Sequence, residues 1–279
     1  MKRLIAPVLA FCIAVGPVWA QGVTIDPAFA KALDLLESGD DEGAYSTLPD
    51  GDHDFLDLLN WIDLRDADTK APFGSYQSLI AQRPDWPGLS RVRANAERRI
   101  DDTVPTAMLL AFFDGHDIET GEGAVAYANA LISAGRDDGA EAMLIDVWLN
   151  DTLRDSSHQA MVNAFPDVLA PHHIARADML LWRWRTSDAA NVIPLVDEGQ
   201  QALFRARSAI IGRDSDVTER EDLVPERLRD DAGLHYDRFN WFADRGDWIE
   251  ATAILNDRSE TAETLGVPWR WGSSRRILA

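Results

Sequence analysis

Cysteine is almost absent from this sequence. The only one among 279 residues is Cys12, which lies in an apolar stretch near the N-terminus. A disulfide framework and a cysteine-based zinc site each need several cysteines in one chain, so both are excluded. The six histidines include no His-Glu-x-x-His pair and no other metal-ligand spacing. The sequence therefore predicts no metal site.

Positive charge is scarce as well. The chain has 27 Lys and Arg residues against 47 Asp and Glu residues, which gives a formal net charge of -20. Nucleic acid and anionic membrane surfaces both need a basic face on their partner, so neither is expected to bind. Beyond residues 1–20, no segment approaches the ~20 uninterrupted apolar residues of a transmembrane helix, so stable membrane insertion is not expected.

The sequence motifs of common catalytic and cofactor sites are also missing. There is no Gly-x-Ser-x-Gly elbow, no phosphate-binding glycine-rich loop and no dinucleotide fingerprint. Carboxylates are so numerous that any two can be paired on paper as acid and base, and such a pair carries no weight. We assign no catalytic and no cofactor-binding residue. An independent enzyme with an unrecognised site is the least favoured of three functional hypotheses.

Residues 1–20 have the pattern of an export signal. Lys2 and Arg3 precede an apolar stretch at 4–15 that is too short to span a bilayer, and Val18-Trp19-Ala20 offers a small-residue cleavage site. A membrane anchor and a buried core helix are the alternatives. Lipidation at Cys12 is disfavoured because the bulky Phe11 precedes it. We expect cleavage after Ala20 and a location in the periplasm.

The remaining chain, 21–279, is predicted to be one all-α domain. Ten Trp and ten Phe residues supply core material that a disordered acidic tail lacks. Apolar residues recur at helical spacing, and no stretch alternates as a half-buried strand would. For the first helix, Asp26 is the expected cap, Pro27 the first helical residue and Gly39 the left-handed terminus. Asp54 is expected to cap a second helix. Further helices are predicted at 89–100, 105–113, 124–134, 140–148, 174–185, 195–211, 238–243 and 248–256.

One short motif recurs at three predicted turns. Its spacing is Gly, four residues, Ala, three residues, Leu, and the copies are Gly39-Ala44-Leu48, Gly135-Ala140-Leu144 and Gly246-Ala251-Leu255. In an αα-hairpin, the Gly ends one helix and the Ala lets the next helix pack closely against it. The copies are unevenly separated, so a regular repeat array is not predicted. The expected architecture is an irregular α-helical superhelix of αα-hairpins, solenoid-like and with packing related to tetratricopeptide repeats.

Six residues are candidates for a glycan or partner surface. Trp182 and Trp184 are two positions apart, as are Trp269 and Trp271, so the members of each pair face different directions and one of each is expected to be exposed. Core filling is the competing interpretation for tryptophan. Arg91 and Arg98 are seven positions apart on one predicted helix face and can pair with carboxylates, although a solvated face is the plainer interpretation.

A series of motifs resembles the superhelical region of soluble lytic transglycosylases, in particular the alphaproteobacterial type. The resemblance covers roughly residues 55–279 and depends on the order of its pieces. These pieces are Trp61-x-x-Leu64-Arg65, Phe73-x-x-Tyr76-x-x-x-Ile80, Arg83-Pro84-Asp85-Trp86-Pro87-Gly88-Leu89, Leu110–Phe113, Thr120–Gly123, His173-x-x-Arg176-x-Asp178-x-Leu180-Leu181-Trp182, Arg205-Ala206-Arg207, Val224-Pro225, Gly233–Arg238 with Trp241, Pro268-Trp269 and Arg275-Arg276.

The resemblance implies a periplasmic protein that associates with peptidoglycan. Members of the family cleave the glycan without water through one Glu of a lysozyme-like domain, within a Glu-Ser motif followed by Gly-Leu-Met-Gln. This sequence contains neither motif, so no catalytic residue is transferred to it and the chain alone is expected to be inactive. Residues 274–279 read as the start of a helix, which leads us to expect a chain truncated at its C-terminus.

Two functional hypotheses lead. In the first, the chain is the non-catalytic scaffold of a lytic transglycosylase, with peptidoglycan glycan strands or a C-terminal catalytic domain as partner. In the second, it is a stand-alone periplasmic helical-repeat adaptor that binds a protein. The net charge of -20 opposes the first hypothesis, because peptidoglycan carries carboxylates, unless arginines gather on one face.

Overall fold

A computed structural model describes residues 25–49 and 53–272. Within these residues every regular element is a helix and no strand is present, which confirms the all-α class. The predicted signal at 1–20 and the predicted helix start at 274–279 lie outside the described residues. No helix among those described is both long and apolar enough to cross a bilayer.

The helices fall into two compact units, the first ending at Val104 and the second beginning at Pro105. The first contains α1 (Pro27–Ser38), α2 (Asp41–Thr47), α3 (His53–Leu64), α4 (Phe73–Gln82) and α5 (Leu89–Glu97). The second contains α6 (Thr106–Phe113), α7 (Gly121–Ser133), α8 (Asp137–Asn150), α9 (Asp155–Ala164), α10 (Pro166–Leu169), α11 (His173–Trp182), α12 (Thr186–Val192), α13 (Glu198–Gly212), α14 (Val217–Asp222), α15 (Ala232–Asp244), α16 (Trp248–Arg258) and α17 (Ala262–Leu265). Single 3-10 turns occupy Ala170–His172, Ile193–Leu195, Glu226–Leu228 and Pro268–Trp271.

The first helix has the predicted boundaries. The Asp26 carboxylate accepts hydrogen bonds from the backbone N–H groups of Ala28, at 2.8 Å, and Phe29, at 3.3 Å. Pro27 is the first helical residue, and Gly39 ends the helix with φ 85°. These contacts satisfy backbone groups that a helix end otherwise leaves without partners. The local sequence therefore determines both ends of α1.

The three copies of the Gly-Ala-Leu motif form three αα-hairpins, as predicted. Gly39, Gly135 and Gly246 are all left-handed, with φ of 85°, 71° and 79°. In each turn the residue after the glycine donates to the carbonyl oxygen five positions earlier, at 2.9–3.0 Å, which is the Schellman geometry. The motif alanines are 0–1% exposed. The helix pairs α1/α2, α7/α8 and α15/α16 pack accordingly.

The start of α3 differs from the prediction. Asp54 was expected to cap this helix, but it lies in the first helical turn after His53. Its carboxylate instead accepts a hydrogen bond of 2.6 Å from Arg83, which also donates to Asp57. The Asp54 carboxylate therefore pairs with Arg83, 29 positions away in the sequence, and not with backbone N–H groups at the start of the helix.

Several helix ends of the second unit also differ from the prediction. The helix predicted at 174–185 ends at Trp182, because the backbone turns left-handed at Trp184 and α12 starts at Thr186. The helix predicted to start at 195 starts at Glu198, where the Asp197 carboxylate caps it. Short helices such as α9, α10, α12, α14 and α17 were not predicted, since few apolar residues mark their periodicity.

Candidate functional site

A cleft of about 410 Å³ opens in the second unit. Its walls are α11, the start of α15 and the segment 266–270 that follows α17. This volume is within the range of small-ligand sites. Two carboxylates, Asp178 and Asp231, line it together with the indoles of Trp182 and Trp269 and the guanidinium of Arg270.

Two of the four candidate tryptophans, Trp182 and Trp269, line this cleft, and Trp184 lies beside it, near Arg270. Trp184 is 52% exposed and Trp269 is 73% exposed. The Arg270 guanidinium carbon lies 4.8 Å from the Trp269 ring centroid and 6.0 Å from that of Trp184. Trp182 is buried at the end of α11, where it packs on Tyr236 and still borders the cleft. One arginine therefore lies against the two exposed indoles.

Trp271 is the buried member of its pair and offers no surface. It is 0% exposed, and its ring lies 5.0 Å from that of Tyr236 and 5.2 Å from that of Phe239. Its indole N–H donates to the Leu265 carbonyl oxygen at 3.0 Å. The expectation that each Trp pair splits into a buried and an exposed member is confirmed. Trp271 itself is a packing residue.

Arg91 and Arg98 lie in the first unit and contribute nothing to the cleft. The helix predicted at 89–100 ends at Glu97, so Arg98 lies one residue beyond α5. The Arg91 Nε donates to the Arg65 carbonyl oxygen at 2.8 Å, and an Arg98 nitrogen donates to the Ala94 carbonyl oxygen at 2.6 Å. Both side chains therefore donate hydrogen bonds to backbone carbonyl groups of the first unit.

A fully buried arginine lies under the cleft. The Arg207 Nε donates to Asp237 at 2.7 Å, and Nη1 bonds Asp178 and lies 3.7 Å from Asp231. Arg207 is 0% exposed, and a Cβ on Gly233 would overlap its guanidinium. Glycine at 233 therefore lets α15 approach the arginine closely.

Burial and charge oppose each other in this cluster. One guanidinium faces three carboxylates, so it cannot neutralise them all. Burial raises the pKa of Asp237 to about 7, although Arg207 acts against the shift. Burial lowers the pKa of Arg207, but the attraction of Asp237, Asp178 and Asp231 outweighs it and raises that pKa above its ordinary value. Asp178 and Asp231 keep 41% and 29% of their side chains exposed.

Arg270 is the residue that the sequence analysis missed. Among the described residues its guanidinium makes no hydrogen bond or ion pair, and its Nε is buried without a partner. A sequence signal was present: Trp182-Arg183-Trp184 and Trp269-Arg270-Trp271 are two copies of Trp-Arg-Trp. The fold brings these two copies together at one cleft.

The cleft has the chemistry of a binding site. Exposed indole faces stack on flat apolar surfaces, an unpaired guanidinium binds carboxylates, and Asp178 and Asp231 can accept hydrogen bonds from hydroxyl groups. Within the described residues, no three His, Cys, Asp or Glu side chains are arranged to hold a metal ion. Comparison with known proteins finds no matching family model, no matching curated protein and no matching solved structure.

Proposed function

We propose that the protein is a non-catalytic helical scaffold that binds peptidoglycan glycan strands in the periplasm. This is the role that superhelical regions have in the lytic transglycosylases the sequence resembles. The observation that carries the proposal is the position of Trp269, 73% exposed at the cleft with Arg270 against its ring. An exposed indole face can stack on a pyranose ring, and Asp178 and Asp231, which line the same cleft, can accept hydrogen bonds from hydroxyl groups.

Arg270, which lines the cleft, reduces the electrostatic objection to an acidic ligand. The chain carries a formal net charge of -20, which repels carboxylates at long range. That repulsion is screened beyond roughly 8 Å at physiological salt. At contact, the unpaired Arg270 can form a bidentate pair with a carboxylate of the ligand. Attraction by Arg270 therefore acts at a distance where repulsion from charges farther than about 8 Å is weak, while Asp178 and Asp231 in the cleft share the charge of Arg207.

Sedimentation with purified sacculi tests the proposal. Wild-type protein should pellet with sacculi, and Trp269→Ala should bind at least about tenfold more weakly, the loss expected for an exposed aromatic at the centre of a contact. Trp248→Ala is the matched control, since Trp248 is 47% exposed at the start of α16 and does not line the cleft. Wild-type sedimentation no greater than that of an unrelated acidic protein would overturn the proposal.

The absence of catalysis is tested in the same samples. Incubation of wild-type protein with sacculi should release no 1,6-anhydro muropeptides above the background of buffer alone. Release of such products would show that the scaffold is itself an enzyme.

The second candidate is an adaptor that binds a protein. It is favoured by Trp248 and Ile249, which are 47% and 82% exposed side by side at the start of α16. Adjacent exposed apolar side chains are typical of partner contacts. The sacculus experiment separates the candidates, because an adaptor would not pellet and Trp269→Ala would change nothing.

A further inference from the structure

Trp184 has a backbone conformation that tryptophan rarely adopts. Its φ is 59°, and among the described residues only Arg213 shares a positive φ without being glycine. The N–H of Trp184 donates to the Leu181 carbonyl oxygen and that of Arg185 to the Leu180 carbonyl oxygen, both at 2.9 Å. This is the Schellman geometry of the three glycine turns, so Trp184 occupies the glycine position.

The residues after Trp184 complete a fourth copy of the hairpin motif. Ala189 follows at the motif's alanine position and is 0% exposed, and Ile193 follows at the leucine position and is 5% exposed. The helices α11 and α12 pack together as the other motif pairs do. At one of four equivalent turns, therefore, glycine is replaced by the bulkiest side chain.

Glycine would take this conformation without steric cost, whereas a side chain with a Cβ is strained there. Arg213, the other strained residue, has a structural reason for its side chain, because it pairs with Asp244 of α15. The Trp184 indole N–H donates to no described residue, and the residue is 52% exposed. Its ring contact is instead with Arg270, beside the cleft.

We propose that Trp184 is a ligand-contact residue, kept in a strained left-handed turn because its indole, with Trp269 and Arg270, forms one platform for a glycan that carries carboxylates. This inference rests on the proposed function and identifies the residue that extends the site beyond the cleft. Backbone strain is retained where the surrounding structure enforces it and function uses it.

A purely structural role for Trp184 makes the opposite prediction. If the ring only stabilised the protein by packing against Arg270, its removal would lower stability and leave ligand binding unchanged. If the ring serves the ligand, its removal together with the strain should leave stability intact while affinity falls. Stability and affinity therefore discriminate between the two roles.

The experiment compares Trp184→Gly with Trp184→Ala, which both remove the ring but differ in the strain they keep. Trp184→Gly should melt at or above the wild-type temperature and about 2–4 °C above Trp184→Ala. Both variants should bind glycan strands freed of their peptide stems, which keep the lactyl carboxylates, at least about tenfold more weakly than wild type in calorimetric titration. Arg213→Gly is the matched control. It relieves the same backbone strain at another helix end, and it should bind the glycan strands as tightly as wild type.

Each outcome decides between the possibilities. A fall of more than about 5 °C for Trp184→Gly, or unchanged affinity in both Trp184 variants while Trp269→Ala loses it, would overturn the role of Trp184 and leave the scaffold function standing. If the wild-type protein binds neither sacculi nor the free glycan strands, the proposed function fails and this inference fails with it.

Discussion

Two arginines of the second unit, Arg176 and Arg207, are buried to the same degree but by different means. They are 1% and 0% exposed, and each lies over an indole ring, that of Trp148 at 4.2 Å and that of Trp182 at 5.6 Å. Arg176 is bound by carbonyl groups, whereas Arg207 is bound by carboxylates. The two arginines show that a charge can be fully buried with either carbonyl or carboxylate partners, and Arg207 contacts two residues that line the cleft.

The Arg176 region is buried among side chains of the second unit. One guanidinium nitrogen donates to the Trp148 carbonyl oxygen and, at 3.3 Å, to that of Asp151. These carbonyls belong to the C-terminal end of α8, where a helix lacks intrahelical donors and favours positive charge. His158 stacks on the Trp148 indole, and His173 contacts it at a tilt of 57°. Burial lowers the pKa of His158 to about 4, so this histidine is neutral near pH 7.

The Arg207 region joins α13 to α11 and α15, the two helices that line the cleft. Asp178 lies on α11, Arg207 on α13 and Asp237 on α15, and Asp231 caps α15 through the Leu234 N–H at 2.8 Å. Two of these carboxylates, Asp178 and Asp231, remain partly exposed and line the cleft. A single buried cation thus connects the two helices that line the cleft, whereas the third wall, at 266–270, is not among its partners.

The largest expected effect is the loss of stability in Arg207→Met, which is compared with the same substitution at Arg176. Arg207→Met should destabilise the protein by about 3–5 kcal/mol, because it leaves buried carboxylates without their cation. Arg176→Met should cost only about 1–2 kcal/mol, since it leaves carbonyl groups and no charge without a partner. Urea unfolding followed by circular dichroism measures both losses.

The cause of the Arg207 loss is checked by a double variant. Adding Asp237→Asn to Arg207→Met should recover part of the lost stability, because the uncompensated buried carboxylate disappears. Equal losses for the two Met variants, or no recovery in the double variant, would contradict the distinction between carbonyl and carboxylate partners.

A smaller effect is expected at the glycine beside Arg207. Gly233→Ala should destabilise by about 1–3 kcal/mol, because the new Cβ overlaps a guanidinium that its partners hold in place. Gly139→Ala is the matched control, for Gly139 lies inside α8 with open space around it and should be stabilised by up to about 1 kcal/mol. Thermal unfolding of the two variants compares them. If Gly233→Ala were as stable as wild type, the close packing of α15 against Arg207 would not require glycine.

The smallest effect is on the pH dependence of stability, where the two regions act with opposite signs. Between about pH 4 and 6.5, unfolded His158 binds a proton that the folded form does not, so its contribution to stability rises with pH. Between about pH 4 and 7, folded Asp237 keeps a proton that the unfolded chain has released, so its contribution falls with pH.

Single variants should separate these slopes. Relative to wild type, His158→Gln should make stability fall more with rising pH, and Asp237→Asn should make it rise more, each by at most about 1.4 kcal/mol per pH unit. Urea unfolding at several pH values in this window measures the slopes. If both variants changed the slope of stability against pH in the same direction, the opposite contributions of His158 and Asp237 would be refuted.

Much of the secondary structure follows from local sequence, but the short helices and the site do not. The ends of α1 and the three glycine turns depend on residues within one helical turn of each other, where capping and backbone sterics dominate. Asp54 shows where local prediction fails, because its carboxylate forms an ion pair with Arg83, which is distant in sequence. The Arg207 cluster has no local signature at all, since its members come from three helices, α11, α13 and α15.

The sequence by itself determined the helical class, the hairpin turns and the split of each tryptophan pair into a buried and an exposed member. These properties follow from periodicity and from φ preferences, which act between near neighbours in the chain. Only the tertiary structure decided that Trp184 and Trp269 share Arg270, that Trp271 is the buried partner, and that Arg91 and Arg98 donate to backbone carbonyl groups of the first unit. Such pairings depend on how all the helices of a unit pack at once, and no local preference specifies that arrangement.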